Sequence, residues 1–181
     1  MNPQFAQLVG NSNAHRRERE ANASAALRDP VAFRTLLALA REPALKGHVQ
    51  SWWALEIICE HNADILLQNL SNLVFTMPAL TSEGAIRSAA KICMMATTMR
   101  LESIPQNLVD SIRDVCLLWL TGDHKVAARA YAARALFRIG KDDRRFLSEL
   151  REILEVGFPK YSAAYRAMAR DLVKKINRIV K

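Results

Sequence analysis

Trp53, Ala90, Ala132 and Ala169 stand 37, 42 and 37 residues apart, and the sequence around each of them returns to one pattern. The residues just before them read VQSW, IRSA, ARAY and YRAM. Four positions further on stand Ile57, Met94, Leu136 and Val173, all apolar, and three positions before stand Gln50, Arg87, Arg129 and Arg166. A chain that returns to the same small and apolar columns every ~40 residues is built from one repeated unit. Each unit leaves an apolar face open until its neighbour stacks on it. Small residues in the shared column let neighbouring backbones approach closely.

The unit is helical. Asp29-Pro30 reads as an N-cap followed by proline at the first helical position, where its missing N–H costs nothing. Phe33, Leu36, Leu37 and Ala40 follow on one face, and Glu42-Pro43 ends the run. Residues 48–61 carry Val49, Trp52, Trp53, Ile57 and Cys59 on a broad apolar surface. Leu66, Leu70, Leu73, Val74 and Met77 keep strict helical spacing up to Pro78, predicting one helix there. Further helices are expected over 83–99, from Ile104-Pro105 through Trp119, over 124–139 and 143–156, and over about 161–180. In the last, Met168, Leu172, Ile176 and Val180 face the core. No stretch alternates as a half-buried strand does. The expected class is all-α, a right-handed α-α superhelix (a HEAT/armadillo-like solenoid) of about four helix pairs. It forms one domain over residues 1–181, with 1–13 read as a loosely ordered arm or cap.

Charge is distributed unevenly along this architecture. Residues 1–121 hold 11 basic and 11 acidic side chains, whereas residues 122–181 hold 15 basic and 7 acidic ones. The whole net charge of +8 therefore sits in the last third. Such a one-ended field attracts nucleic acid, anionic lipid or an acidic partner. No window has the ~18 uninterrupted apolar residues of a membrane span, and the N-terminus lacks the pattern of a signal peptide. A cytoplasmic location is expected, with no membrane contact.

Catalytic and metal chemistry find little support. His15, His48, His61 and His124 form no H-E-x-x-H pattern, and Cys59, Cys93 and Cys116 form no C-x-x-C pair. Each cysteine lies in an apolar stretch and is expected to be buried and inert. Cys59-Glu60-His61 suggests a nucleophile beside its base, but consecutive helical positions diverge by about 100°. Asp123 before His124 reads as an N-cap rather than a catalytic partner. No glycine-rich phosphate loop or G-x-S-x-G elbow is present. Trp52, Trp53 and Trp119 could serve as base-stacking platforms, but their apolar faces favour core packing. No catalytic residue, metal ligand or cofactor is assigned.

Two runs, GDHKVAARAYAARALFRIGK (122–141) and SAAYRAMARDLVKKI (162–176), together with HRRERE near the start, resemble small bacterial HEAT-like repeat proteins. Some members of that group carry the label adenylosuccinate lyase. The serine-containing SSxMPxKxNP loop of the lyases has no counterpart here: TMPALTSEG (76–84) shares only its Met-Pro pair. Lyase activity is not expected, and the resemblance implies no functional residues.

The arginines carry the functional expectation. Arg87, Arg129 and Arg166 occupy one column of successive repeats, which stacking would place roughly 10 Å apart. Arg166, Arg170, Lys174 and Arg178 form an i, i+4, i+8, i+12 stripe on the last helix. Such rows suit an acidic protein or peptide, or a phosphate backbone. Alternatively, repeat arginines bond carbonyls and carboxylates of adjacent repeats, with their stems as packing material. The resulting expectation is a non-enzymatic scaffold that binds an acidic protein or peptide through the basic face of its C-terminal repeats. Nucleic-acid binding is the alternative.

Overall fold

The computed structural model describes residues 1–181 and contains eleven α-helices and no strand. Helices α1 (Pro3–Asn11), α2 (Arg16–Arg28), α3 (Pro30–Arg41) and α4 (His48–His61) form the N-terminal part. Two single turns follow, α5 (Ala63–Leu67) and α6 (Leu70–Val74), and then α7 (Glu83–Arg100) and α8 (Gln106–Thr121). The C-terminal part comprises α9 (Val126–Ile139), α10 (Arg144–Val156) and α11 (Ala163–Val180).

After α1, the chain alternates between two layers. In one layer α2 packs on α4, α4 on α7, α7 on α9 and α9 on α11. Across from it, α3 lies against α4 and α6, α6 against α8, α8 against α9, and α10 against α11. The small-residue column lies inside the first layer, where Ala90, Ala132 and Ala169 are fully buried. Alanine there lets the helices of one layer lie side by side with little between their backbones. One continuous cluster of 49 buried apolar residues runs through the chain. Trp52 and Trp119 are inside it, and Trp52 Nε1 donates to Ala40 O at 3.0 Å. These two tryptophans are core, and no helix is long and apolar enough to cross a membrane.

Two local expectations differ from what forms. Residues 66–77 do not make one helix but break at Gln68–Asn69. Asn69 Nδ2 donates to Ile65 O at 3.1 Å, a side-chain bond that competes with helix continuation. Leu66, Leu70, Leu73, Val74 and Met77 are nevertheless all buried, so the apolar pattern survives the break. The N-terminal residues, read as an arm or cap, form α1 and dock. Asn2 caps α1 through Phe5 N, Pro3 stands in its first turn, and Phe5 and Val9 are buried. Gly47, at φ 99°, turns the chain into α4 with its Cα region against the backbone of Gly10. No side chain is tolerated easily at that approach.

The three thiols are buried. Cys93 Sγ lies 3.7 Å from Met77 Sδ. Burial pushes the Cys59 thiol up to about 12. A hydrogen bond with Cys93, and burial, raise that of Cys116. Thiolates are the reactive species, so the native protein is expected to leave all three cysteines unmodified by Ellman's reagent at neutral pH. Full reaction appears only after denaturation in guanidinium, as absorbance at saturating reagent would show.

Candidate functional site

Each of the three column arginines is bonded within the chain. Arg87, 31% exposed, reaches back from α7 to α4, where its Nη2 donates to Glu56 Oε2 at 2.6 Å. Arg129 is only 4% exposed and donates through Nη2 to Gly122 O at 2.5 Å. Arg166 is half-buried and donates through Nη1 to Tyr161 O at 3.1 Å. Even Gln50, the first member of the column, donates to Ser12 O at 3.5 Å. The column therefore joins helices to loops and to one another. Of the two readings of the arginine column, these bonds favour the one in which its side chains serve the packing of the chain. The physical reason is that each arginine stands in the first two turns of its helix, where a long side chain reaches back to the carbonyls of the preceding loop or, for Arg87, to the Glu56 carboxylate of α4.

Glu56 is the centre of the α4–α7 seam and was not singled out by the sequence reading. It is 2% exposed and accepts from Arg87 Nη2, from Ser88 Oγ at 2.5 Å and from Lys91 Nζ at 3.0 Å. Lys91 also pairs with Glu60, which in turn meets Arg16 of α2 at 3.0 Å. One ion network thus crosses α2, α4 and α7. Its sequence signal was a glutamate pair at i, i+4 in an otherwise apolar helix, with basic residues four apart in the next unit. Cys59, Glu60 and His61 do not converge: Cys59 is buried, Glu60 turns to Lys91 and Arg16, and His61 is exposed.

A second seam joins α7 to the loop before α9. Glu83 accepts from His124 Nδ1 at 2.8 Å and from the Lys125 backbone N–H at 3.0 Å. Asp123 is not the N-cap of α9. The cap is Lys125, and Asp123 Oδ1 lies exposed, 3.5 Å from Arg129 Nη2.

The carboxyls of these seams give the fold an acid limit. Partial burial raises Glu60, but bonds and charge from Lys91 and Arg16 outweigh it and hold the group below its ordinary 4.5. Partial burial likewise raises Glu83, but bonds and charge from His124 and Lys125 outweigh it and hold that carboxyl below 4.5 too. In the unfolded chain both titrate near the ordinary value. Their stabilisation is complete above pH 4.5 and lost as pH falls through the lower folded values. Thermal melts across a pH series should show the melting temperature falling less steeply below pH 4.5 in Glu60→Gln/Glu83→Gln than in the unmodified protein.

What remains open to solvent is the α11 stripe beyond Arg166. Arg170, Lys174 and Arg178 are exposed and are joined by Lys181 along a groove of about 400 Å³. Half-buried Phe158 and Val173 supply its apolar part, and Asn177 is steadied by Arg151 Nη1 at 3.4 Å. No acidic side chain lines the groove. The acids nearest in sequence are engaged elsewhere or turned away: Asp171 pairs with Lys175 at 2.7 Å on the neighbouring face. Four cations held four or fewer residues apart on one helical face repel one another, and an anionic partner would relieve that repulsion. Comparison with protein-family models, with curated proteins and with solved structures finds no match to this chain.

Proposed function

We propose that the protein is a non-enzymatic helical-repeat scaffold that binds an acidic protein or peptide along α11. The observation that carries this reading is the groove of Arg170, Lys174, Arg178 and Lys181, basic throughout and bordered by Phe158 and Val173. Cations around a small apolar floor suit a segment that alternates Asp or Glu with an apolar side chain. Alternation of the helices between two layers, with the ~40-residue recurrence, supports a HEAT-like right-handed superhelix akin to the small repeat proteins it resembles.

The test is fluorescence anisotropy with a labelled peptide of about ten residues rich in glutamate and leucine, at low salt. Arg170→Glu/Lys174→Glu/Arg178→Glu is expected to weaken binding at least about tenfold, because reversed charges repel where the native ones attract. All three side chains are exposed, so the variant should melt as the unmodified protein does. A parallel titration with duplex DNA examines the alternative. Binding of DNA but not peptide, with affinity falling log-linearly in salt, would replace the protein-partner reading with a phosphate-backbone one. The burial of Trp52 and Trp119 removes two stacking platforms that single-stranded nucleic acid would use.

A further inference from the structure

A separate cavity of about 520 Å³ opens where the loops before α9 and α11 meet, and it shares no lining residue with the α11 groove. Arg129 forms part of its wall. Its guanidinium lies 3.7 Å from the centre of the Tyr161 ring, and Tyr161 stacks at 4.7 Å on Tyr165. This cation is nearly fully buried, yet it is incompletely matched. Nη2 takes Gly122 O, the closest carboxylate oxygen is that of exposed Asp123 at 3.5 Å, and Nε has no partner. A buried guanidinium whose one carboxylate partner is solvent-exposed and 3.5 Å away is only partly compensated, and a further anion would complete its shell.

Two further features point the same way. Lys125 and Val126 at the start of α9, and Ser162 at the start of α11, line the same cavity. Helices of 14 and 18 residues thus direct their N-terminal ends into one space, and neither has an acidic residue in its first turn. At α9 the Glu83 carboxylate already accepts from the Lys125 N–H, and at α11 Ser162 Oγ accepts from the Tyr165 N–H, so an anion would meet the remaining first-turn N–H groups. Lys125 and Lys160 add two mobile cations at the mouth. Lys160, Tyr161 and Tyr165 also line a neighbouring crevice of about 390 Å³, whose other walls include Leu120 and Ile153. Glu149 and Glu152 rim that crevice, whereas at the other end Arg129, Lys125 and Lys160 outnumber the one carboxylate, Asp123, so that end favours negative charge.

We propose that this cavity binds a small organic anion, a phosphate or carboxylate head carrying an apolar body. The head sits against Arg129, Lys125, Lys160 and the first-turn N–H groups of α9 and α11. The body extends over Tyr161 into the Leu120–Ile153 crevice. The proposal does not rest on the α11 groove binding any partner.

Phenyl phosphate, 4-phenylbutyrate and inorganic phosphate are the probes, titrated into the full chain and followed by amide chemical shifts. One of the two phenyl compounds is expected to saturate below about 1 mM and more tightly than inorganic phosphate, which identifies the head group. Shifts should centre on Val126, Ala127, Ala163 and Ala164. Ser162→Asp is the decisive variant. Aspartate caps a helix as well as serine, so the melting temperature holds, but its charge stands at the cavity mouth and should weaken binding at least about tenfold. Lys160→Ala, at an exposed position, should weaken it in the same direction. Absence of saturation for both phenyl compounds, unchanged affinity in Ser162→Asp, or shifts confined to residues 170–181 would each overturn the proposal.

Discussion

Replacing Glu56 by alanine is expected to lower the unfolding free energy by about 3 kcal/mol. The carboxylate is 2% exposed and serves Arg87, Ser88 and Lys91 at once. Its loss leaves the Ser88 hydroxyl buried without its acceptor and Arg87 without a counter-charge at the α4–α7 seam. Lys91 keeps Glu60, and Arg87 is 31% exposed and can turn to water. These two escapes put the effect at the lower end of the range for a broken buried ion pair. Glu56→Gln keeps the volume and can still accept from Ser88, so its effect should be smaller. Urea unfolding measures both, with an unchanged slope showing that the native state alone has been weakened. Arg87→Met belongs to the same experiment. It should lose stability but leave binding of the acidic peptide unchanged, because Arg87 faces a seam and not the α11 groove. Equal stability of Glu56→Ala and the unmodified protein would show that the network contributes no net stabilisation.

Ala132→Leu is expected to cost about 3 kcal/mol, with a substantial drop in melting temperature. Ala132 is fully buried on α9, which packs along α7, where Ser88, Ala89 and Ala90 are fully buried too. Three added carbons have no space unless the two helices move apart. Separation would strain the seams on either side, the Glu83–His124 bond among them. Ala132→Gly should also destabilise, by about 1 kcal/mol, through helix propensity. Only alanine meets both requirements, a small radius and a favourable helical backbone. Arg134→Leu is the control: it lies on the same helix but is exposed, and it should shift stability by no more than about 0.5 kcal/mol. If Ala132→Leu behaved like that control, close approach of α7 and α9 through the alanine column would be refuted.

Much of the architecture could be read from residue order. Helical spacing of apolar residues identifies α3, α4, α7, α8, α9, α10 and α11 within a few residues. The Asp29-Pro30 start is a local signal, because Asp29 caps α3 by accepting from Val31 N at 2.8 Å. The errors came where local and tertiary forces compete. Asn69 breaks the 66–77 helix through a side-chain bond that spacing does not encode. The N-terminal segment is too short to be stable as an isolated helix, and α1 persists because Phe5 and Val9 are buried. Its apolar pair at i, i+4 was the available signal.

The functional residues divide along the same line. Sequence by itself determined that the chain is helical, that small residues recur where helices meet, and that positive charge gathers in the last third. These follow from composition and period, which are properties of the chain one residue after another. How far a given arginine is exposed, and which groups surround its charge, was decided by tertiary structure alone. Arg129 and Arg170 are the same residue type on similar helices. The first lies between Gly122 and the Tyr161 ring, and the second stands in solvent at the edge of the last helix. A side chain's role depends on what lies within a few ångströms of its charged end, and for Arg129 those neighbours are a carbonyl of the preceding loop and a ring brought in from a later one. Burial, and the carbonyls and carboxylates it brings near, set the difference.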